Sequence, residues 1–175
     1  MQERSPIIIQ SKLEDISVAE LLNELEQQGV HIQLPIDELS VIKHIRMLDV
    51  NGGSQGKGAV VTEMPVEEDA WFFKCHFPGD PIMPGCLGIE GMWQSLGAIL
   101  AAQGHQGKLR ALGIGEVKFF GEVRPHTKVV SFHIELERLL KNKKMAVAVA
   151  TGTVKVDGED IYQAKKLKVG VIFEE

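Results

Sequence analysis

Between residues 16 and 25 the apolar positions are Val18, Leu21, Leu22 and Leu25, the three-and-four spacing that puts one apolar stripe on a helix. Ser17 stands where an N-cap belongs, with Glu20 three residues on as its capping-box partner. Gly29 is placed to stop the helix, and residues 31–34 read as a short strand after it. Residues 41–48 and 57–64 read as strands, separated by the turn signal Asn51-Gly52-Gly53. Residues 71–84 keep no period and are punctuated by Gly and Pro, so a loop is expected. Residues 86–103 then carry Leu87, Met92, Leu96, Ile99 and Leu100 among small Gly and Ala, which predicts a helix apolar on most faces and therefore wrapped by other structure. After it only strands are expected, over 112–120, 128–137, 145–156 and 161–173. In the second of these Val130, Phe132, Ile134 and Leu136 alternate onto one face, and Lys141-Asn142-Lys143 and Asp157-Gly158 provide turns.

This order predicts an α+β fold in which a curled antiparallel sheet wraps one long central helix, since that is the simplest way to bury such a helix. Residues 1–38 read as an N-terminal amphipathic helix and short strand, and residues 39–175 as the main domain. The open edge of such a sheet is a liability that edge-to-edge pairing removes, which predicts a homodimer.

Composition changes this picture little. Hydrophobic residues make up 44% and charged residues 25% of 175, ordinary for one globular domain. A net charge of −5 offers no electrostatic reason to expect nucleic acid or an anionic membrane as partner. The first residues carry acids and lack a signal-peptide core, so a cytoplasmic protein with reduced Cys75 and Cys86 is expected.

Candidate chemistry concentrates in residues 71–94, WFFKCHFPGDPIMPGCLGIEGMWQ. His76 lies on the loop, followed by three prolines and two glycines, and Glu90 lies in the first turns of an otherwise apolar helix. An ionised carboxylate is costly to bury, so Glu90 reads as an acid–base group, against the plainer alternative of an acid favoured by the helix dipole. Gln94, four residues on, shares its face and is placed to orient it. His76 reads as its acid–base counterpart; a structural hydrogen bond is the plainer reading. The N–H groups of Gly85 and Cys86, at the start of the helix, suit a developing oxyanion, although Gly85 also reads as a simple turn residue. Cys75, His76, Asp80, Cys86 and Glu90 are all metal-ligand types, but their spacing matches no zinc pattern, so no metal is expected. Trp71, Phe72 and Phe73 read equally as an acyl tunnel and as plain core.

The block resembles the active-site segment of the 3-hydroxyacyl-[acyl-carrier-protein] dehydratases, in particular the 3-hydroxydecanoyl-type dehydratase/isomerase branch. The likeness runs from Trp71 to Gln94, continues through Arg110 to Phe119 (RALGIGEVKF), and returns more loosely at Asp157-Gly158 and at Leu167 to Gly170. It covers roughly residues 41–172. The resemblance implies the hotdog fold, double in a dimer whose sites take the histidine from one subunit and the acid from the other. It implies His76 as base at C2, Glu90 as the group at the departing 3-hydroxyl, and Gly85 and Cys86 as donors to the thioester oxygen. It also implies an acyl carrier protein as partner, and neither metal nor organic cofactor.

Two features depart from that branch. Glu90 stands where the isomerising branch has Asp and the branch that only dehydrates has Glu, so dehydration is expected and isomerisation is left open. Residues 41–45 read VIKHI where a Met-Met-Asp-Arg-like stretch is usual. Residues 17–34 faintly resemble docking segments of modular synthases, with a helix covering the sheet as the alternative. Lys108, Arg110, Lys118, Arg124 and Lys128 are candidate contacts for an acidic carrier. A hotdog thioesterase and a non-catalytic acyl-carrier-binding protein are the rival functions.

Overall fold

The computed structural model describes residues 12–174, so the acidic N-terminal stretch read above lies mostly outside the described residues. The chain opens with β1 (Lys12–Ser17), a strand that polar KLEDIS does not announce, and passes directly into α1 (Val18–Gln27). The capping box forms as the sequence predicts: Glu20 N–H donates to Ser17 Oγ at 3.1 Å and Ser17 N–H donates to Glu20 Oε2 at 2.7 Å. Val18, Leu21 and Leu25 turn inward and join the main core. The strand expected over residues 31–34 does not form. That segment runs alongside other elements, with the His31 carbonyl accepting from Gly107 N–H at 3.2 Å, and has no strand partner among the described residues.

A single 3-10 turn (Asp37–Leu39) leads to β2 (His44–Asp49) and β3 (Ala59–Pro65). β2 starts later than the apolar run suggests, because Val41 and Ile42 donate their N–H groups to the Gln94 side chain and not to a neighbouring strand. Residues 71–84, expected to be loop throughout, begin with the short helix α2 (Trp71–Cys75), anchored by buried Phe72 and Phe73. The central helix α3 (Gly85–Ala102) follows. The strand expected over 112–120 starts earlier and is broken in two, β4 (Lys108–Gly113) and β5 (Glu116–Phe119), by a shift at Gly113, whose φ of +154° favours glycine. The long strands β6 (Val129–Lys141), β7 (Met145–Val156) and β8 (Glu159–Ile172) complete the chain. Asp157 and Gly158 both take positive φ, as a two-residue hairpin turn requires.

The eight strands of the described residues form one antiparallel sheet in the order β1-β2-β3-β6-β7-β8-β4, with β5 pairing β8 beyond β4. The sheet curls around α3, whose Met92, Leu96, Ile99 and Leu100 are fully buried. Glycine permits the close approach: a Cβ on Gly91 would come within 2.3 Å of the Phe132 ring, and one on Gly88 within 2.3 Å of the Tyr162 ring. This is the hotdog architecture. Among the described residues no helix is long and apolar enough to cross a membrane.

Candidate active site

His76 is the residue that ends α2. Its backbone is held on both sides, N–H to the Phe72 carbonyl at 2.9 Å and carbonyl from Ile82 N–H at 2.8 Å. Its ring nitrogen Nδ1 lies 3.0 Å from the Ile82 carbonyl oxygen. A carbonyl only accepts, so Nδ1 carries the hydrogen and Nε2 is left free to take up or deliver a proton. The Phe77 ring stacks on the imidazole with centroids 4.0 Å apart, and the His76–Phe77 peptide bond is cis. Phe77 and Asp80 exchange two backbone hydrogen bonds of 2.9 Å, closing the loop on itself. The loop is also braced from the irregular segment that follows β5: Met83 N–H donates to the Val123 carbonyl at 2.9 Å, and Arg124 donates to Asp80 at 3.0 Å and to Glu122 at 2.7 Å.

Gly85 is the first residue of α3, and Pro84 before it offers no side-chain cap. The N–H groups of Gly85 and Cys86 have no protein acceptor among the described residues, the ordinary condition of a helix's first turn and one suited to an incoming oxygen. Gly85 also has a steric reason to be glycine, since a Cβ there would lie 2.9 Å from the Phe119 ring. Tyr162 packs edge-on to Phe119 under this turn, and burial, followed by the nearby Glu122 and Cys86, pushes its phenol up to about 12.

Glu90 is half-buried, one turn before Gln94 on the same face of α3. Gln94 Nε2 donates to Glu90 Oε1 at 2.9 Å and to the Leu39 carbonyl at 2.6 Å, and its Oε1 accepts from Val41 and Ile42. Gln94 thus holds a hydrogen bond to the Glu90 carboxylate, and it also ties residues 39–42 to the helix. Glu90, Trp93 and Gln94 line a cavity of about 940 Å3 whose other walls are residues 30–36 and residues 107–111. His76 does not line it, and among the described residues no hydrogen bond or ion pair joins His76 to Glu90 within one chain.

The other candidates are placed as follows. Phe72 and Phe73 belong to the core, whereas Trp71 is exposed. Among the described residues no three His, Cys, Asp or Glu side chains are grouped to hold a metal ion. Of the five basic residues, Lys108 pairs with Glu174, Lys118 with Glu116, and Arg124 with Asp80 and Glu122. Sequence reasoning missed the Ile82 carbonyl and the Arg124 brace. A main-chain oxygen has no sequence signature, and Asp80 and Arg124 stand far apart in the chain. It also missed the part residues 30–36 play in walling the cavity.

Several solved structures share the architecture. A phenylacetic acid degradation-related protein from Ralstonia eutropha JMP134 aligns with 14% identity over 87% of this chain and 98% of its own, at a TM-score of 0.56. An HP0420 homologue from Helicobacter felis aligns with 9% identity over 85% of this chain and 87% of its own, at 0.54. The dehydratase heterocomplex ApeI:P from Xenorhabdus doucetiae aligns less fully, with 18% identity over 63% of this chain and 86% of its own, at 0.46. The first two likenesses establish the fold. Relationship rests on the profile of the FabA-like domain, which matches residues 34–165 and so takes in the His76 loop, all of α3 and most of the sheet. With well over half its length matched, the chain belongs to the FabA-like domain family.

Proposed function

We propose that the protein removes water from 3-hydroxyacyl thioesters carried on an acyl carrier protein, giving trans-2-enoyl thioesters in fatty-acid or polyketide-type lipid synthesis. The observation that carries this reading is the pair of oriented groups: His76 fixed through Nδ1 with Nε2 free, and Glu90 held by Gln94 on a cavity wall. His76 Nε2 takes the proton from C2, and the electron pair of that C–H bond becomes the C2–C3 double bond. Charge gathering on the thioester oxygen is met by the N–H groups of Gly85 and Cys86. The C3–O bond breaks as Glu90 protonates the departing hydroxyl, which leaves as water, and solvent exchange returns the proton from His76 to Glu90.

The two groups belong to different subunits in this reading, so that His76 works with Glu90 of the partner subunit. Three features support a homodimer with shared sites. Among the described residues no hydrogen bond or ion pair joins His76 to Glu90 within one chain; β4 and β5 form a sheet edge unpaired among those residues; and Leu112, Phe119 and Phe120 on or beside that edge are 46%, 52% and 55% exposed. Glutamate at position 90 is one methylene longer than the aspartate of the isomerising branch, so the proposal is of dehydration and leaves isomerisation open.

The test is turnover of a 3-hydroxydecanoyl thioester, with enoyl absorbance and free thiol followed together and the product identified by gas chromatography. Enoyl thioester of trans-2 geometry is expected; thiol release without it would mean hydrolysis and would overturn the proposal. His76→Ala and Glu90→Ala should each lower kcat/KM by roughly 10²–10⁴-fold. Mixing the two inactive variants and letting subunits exchange should recover part of the activity, because each hybrid dimer holds one intact site. No recovery would place both groups of a site in one chain.

A further inference from the structure

After His76 the chain leaves the fold and returns to it at Met83, whose N–H donates to the carbonyl of wholly buried Val123. Between those points it makes a closed turn. Phe77 and Asp80 exchange two backbone hydrogen bonds across Pro78 and Gly79, and Gly79 takes φ +81°, which puts proline and glycine in the places a reverse turn prefers. A turn closed in this way moves as one piece. One end carries the Phe77 ring, stacked on the His76 imidazole with centroids 4.0 Å apart and planes inclined by 28°. The other end carries the Asp80 carboxylate.

Among the described residues, Arg124 is the only side chain beyond residues 76–83 that hydrogen-bonds this stretch: its Nη1 donates to Asp80 Oδ1 at 3.0 Å. Its Nη2 donates to Glu122 Oε2 at 2.7 Å, and two fixed arms orient the planar guanidinium. The backbone beneath it is fixed as well. Arg124 N–H donates to Thr127 Oγ1 at 3.2 Å, its carbonyl accepts from Thr127 N–H at 2.9 Å, and Thr127 is buried. The next carbonyl, that of Lys128, accepts from Val66 N–H at 3.0 Å, and β6 begins at Val129. Direct contacts thus run from the sheet through Arg124, Asp80 and Phe77 to the imidazole.

We propose that Arg124 is a positioning residue for His76. Through Asp80 it fixes the Phe77–Asp80 turn, and the stacked turn holds the imidazole with Nδ1 on the Ile82 carbonyl and Nε2 free. The inference rests on the proposed role of His76 as the base. Both donor arms of Arg124 are engaged within the chain, so its task lies at the base and not at an acidic carrier. The Arg124 and Asp80 side chains are 38% and 63% exposed. An ion pair so exposed adds little to stability, so removing it leaves the fold intact and isolates the effect on the imidazole.

The test compares the wild type with Arg124→Gln and Arg124→Lys, using the 3-hydroxydecanoyl group both on a carrier protein and on pantetheine. Arg124→Gln should lower kcat by roughly tenfold on both substrates and leave KM within about twofold, because a displaced base costs rate and not binding. Arg124→Lys keeps one donor for Asp80 and should recover part of the loss. Asp80→Ala should resemble Arg124→Gln, and the double variant should be little worse than either, since both break one link. Thermal midpoints should stay within about 4 °C of the wild type. Nitrogen NMR of His76 supplies a readout independent of turnover: one neutral tautomer, with Nδ1 protonated, in the wild type and a mixture of two in Arg124→Gln. Unchanged kcat, additive losses in the double variant or an unaltered tautomer in Arg124→Gln overturns the proposal. So does a rise in KM confined to the carrier-borne substrate, which would make Arg124 a carrier contact. A collapsed midpoint in Arg124→Gln without recovery in Arg124→Lys would make the residue structural, and overturns it too. The tautomer change in a protein that does not dehydrate would overturn only the reaction proposed above.

Discussion

Gln94 spends both amide hydrogens and both carbonyl lone pairs at once: on Glu90, on Leu39, and on the N–H groups of Val41 and Ile42. It is almost wholly buried, so its loss leaves main-chain groups without partners as well as an undirected carboxylate. Gln94→Ala should therefore lower stability by about 1–3 kcal/mol, read from denaturant midpoints. It should also lower kcat more than it raises KM, and unchanged kcat would remove Gln94 from any role in positioning Glu90. At this scale the sequence was informative. His76, Gly85, Cys86, Glu90 and Gln94 fall within one short block, where spacing on a helix and the company of Gly and Pro single them out as candidates. The carbonyl of Ile82 that fixes the imidazole, and Arg124, which holds Asp80 across the fold, carried no such signal.

Among the elements, α3 is the one whose packing constrains the rest. Its small residues are contact positions, and Gly91 admits the Phe132 ring at a distance no side chain would allow. Gly91→Ala should lower stability by about 1–3 kcal/mol in denaturant unfolding, because Phe132 is fully buried on a central strand and has little room to give. An unchanged midpoint would show that the sheet yields. The long alternating strands β6, β7 and β8 and the capped helix α1 were legible, since each has the period of its own structure. β1 was not, for its polar residues form a strand only because the β2 edge offers a partner. Residues 31–34 have strand-like apolarity and line a cavity instead, because α3 and β4 leave a flank to cover there.

For the whole molecule, burial sets a dependence of stability on pH. It pushes the imidazoles of His105 and His133 below their ordinary value, with Lys141 acting in the same direction on His105 and Lys155 on His133, and Asp160 opposing at His133. Groups depressed in the folded state bind protons sooner when unfolded, so their contribution is complete above about pH 6.5 and is lost as pH falls from there toward the folded values. The thermal midpoint should fall on acidification below about pH 6.5, and His133→Gln should flatten the decline. An unaltered slope would assign the effect elsewhere.

By itself, the sequence determined the fold class and the identity of the candidate catalytic groups, because hydrophobic period and a contiguous motif are local properties. Only tertiary structure decided what surrounds those groups. The braces on the His76 loop, the Gln94 linkage to residues 39–42 and the cavity beside α3 join residues far apart in the chain. Chain spacing carries no record of such pairings, which arise when the sheet closes on the helix.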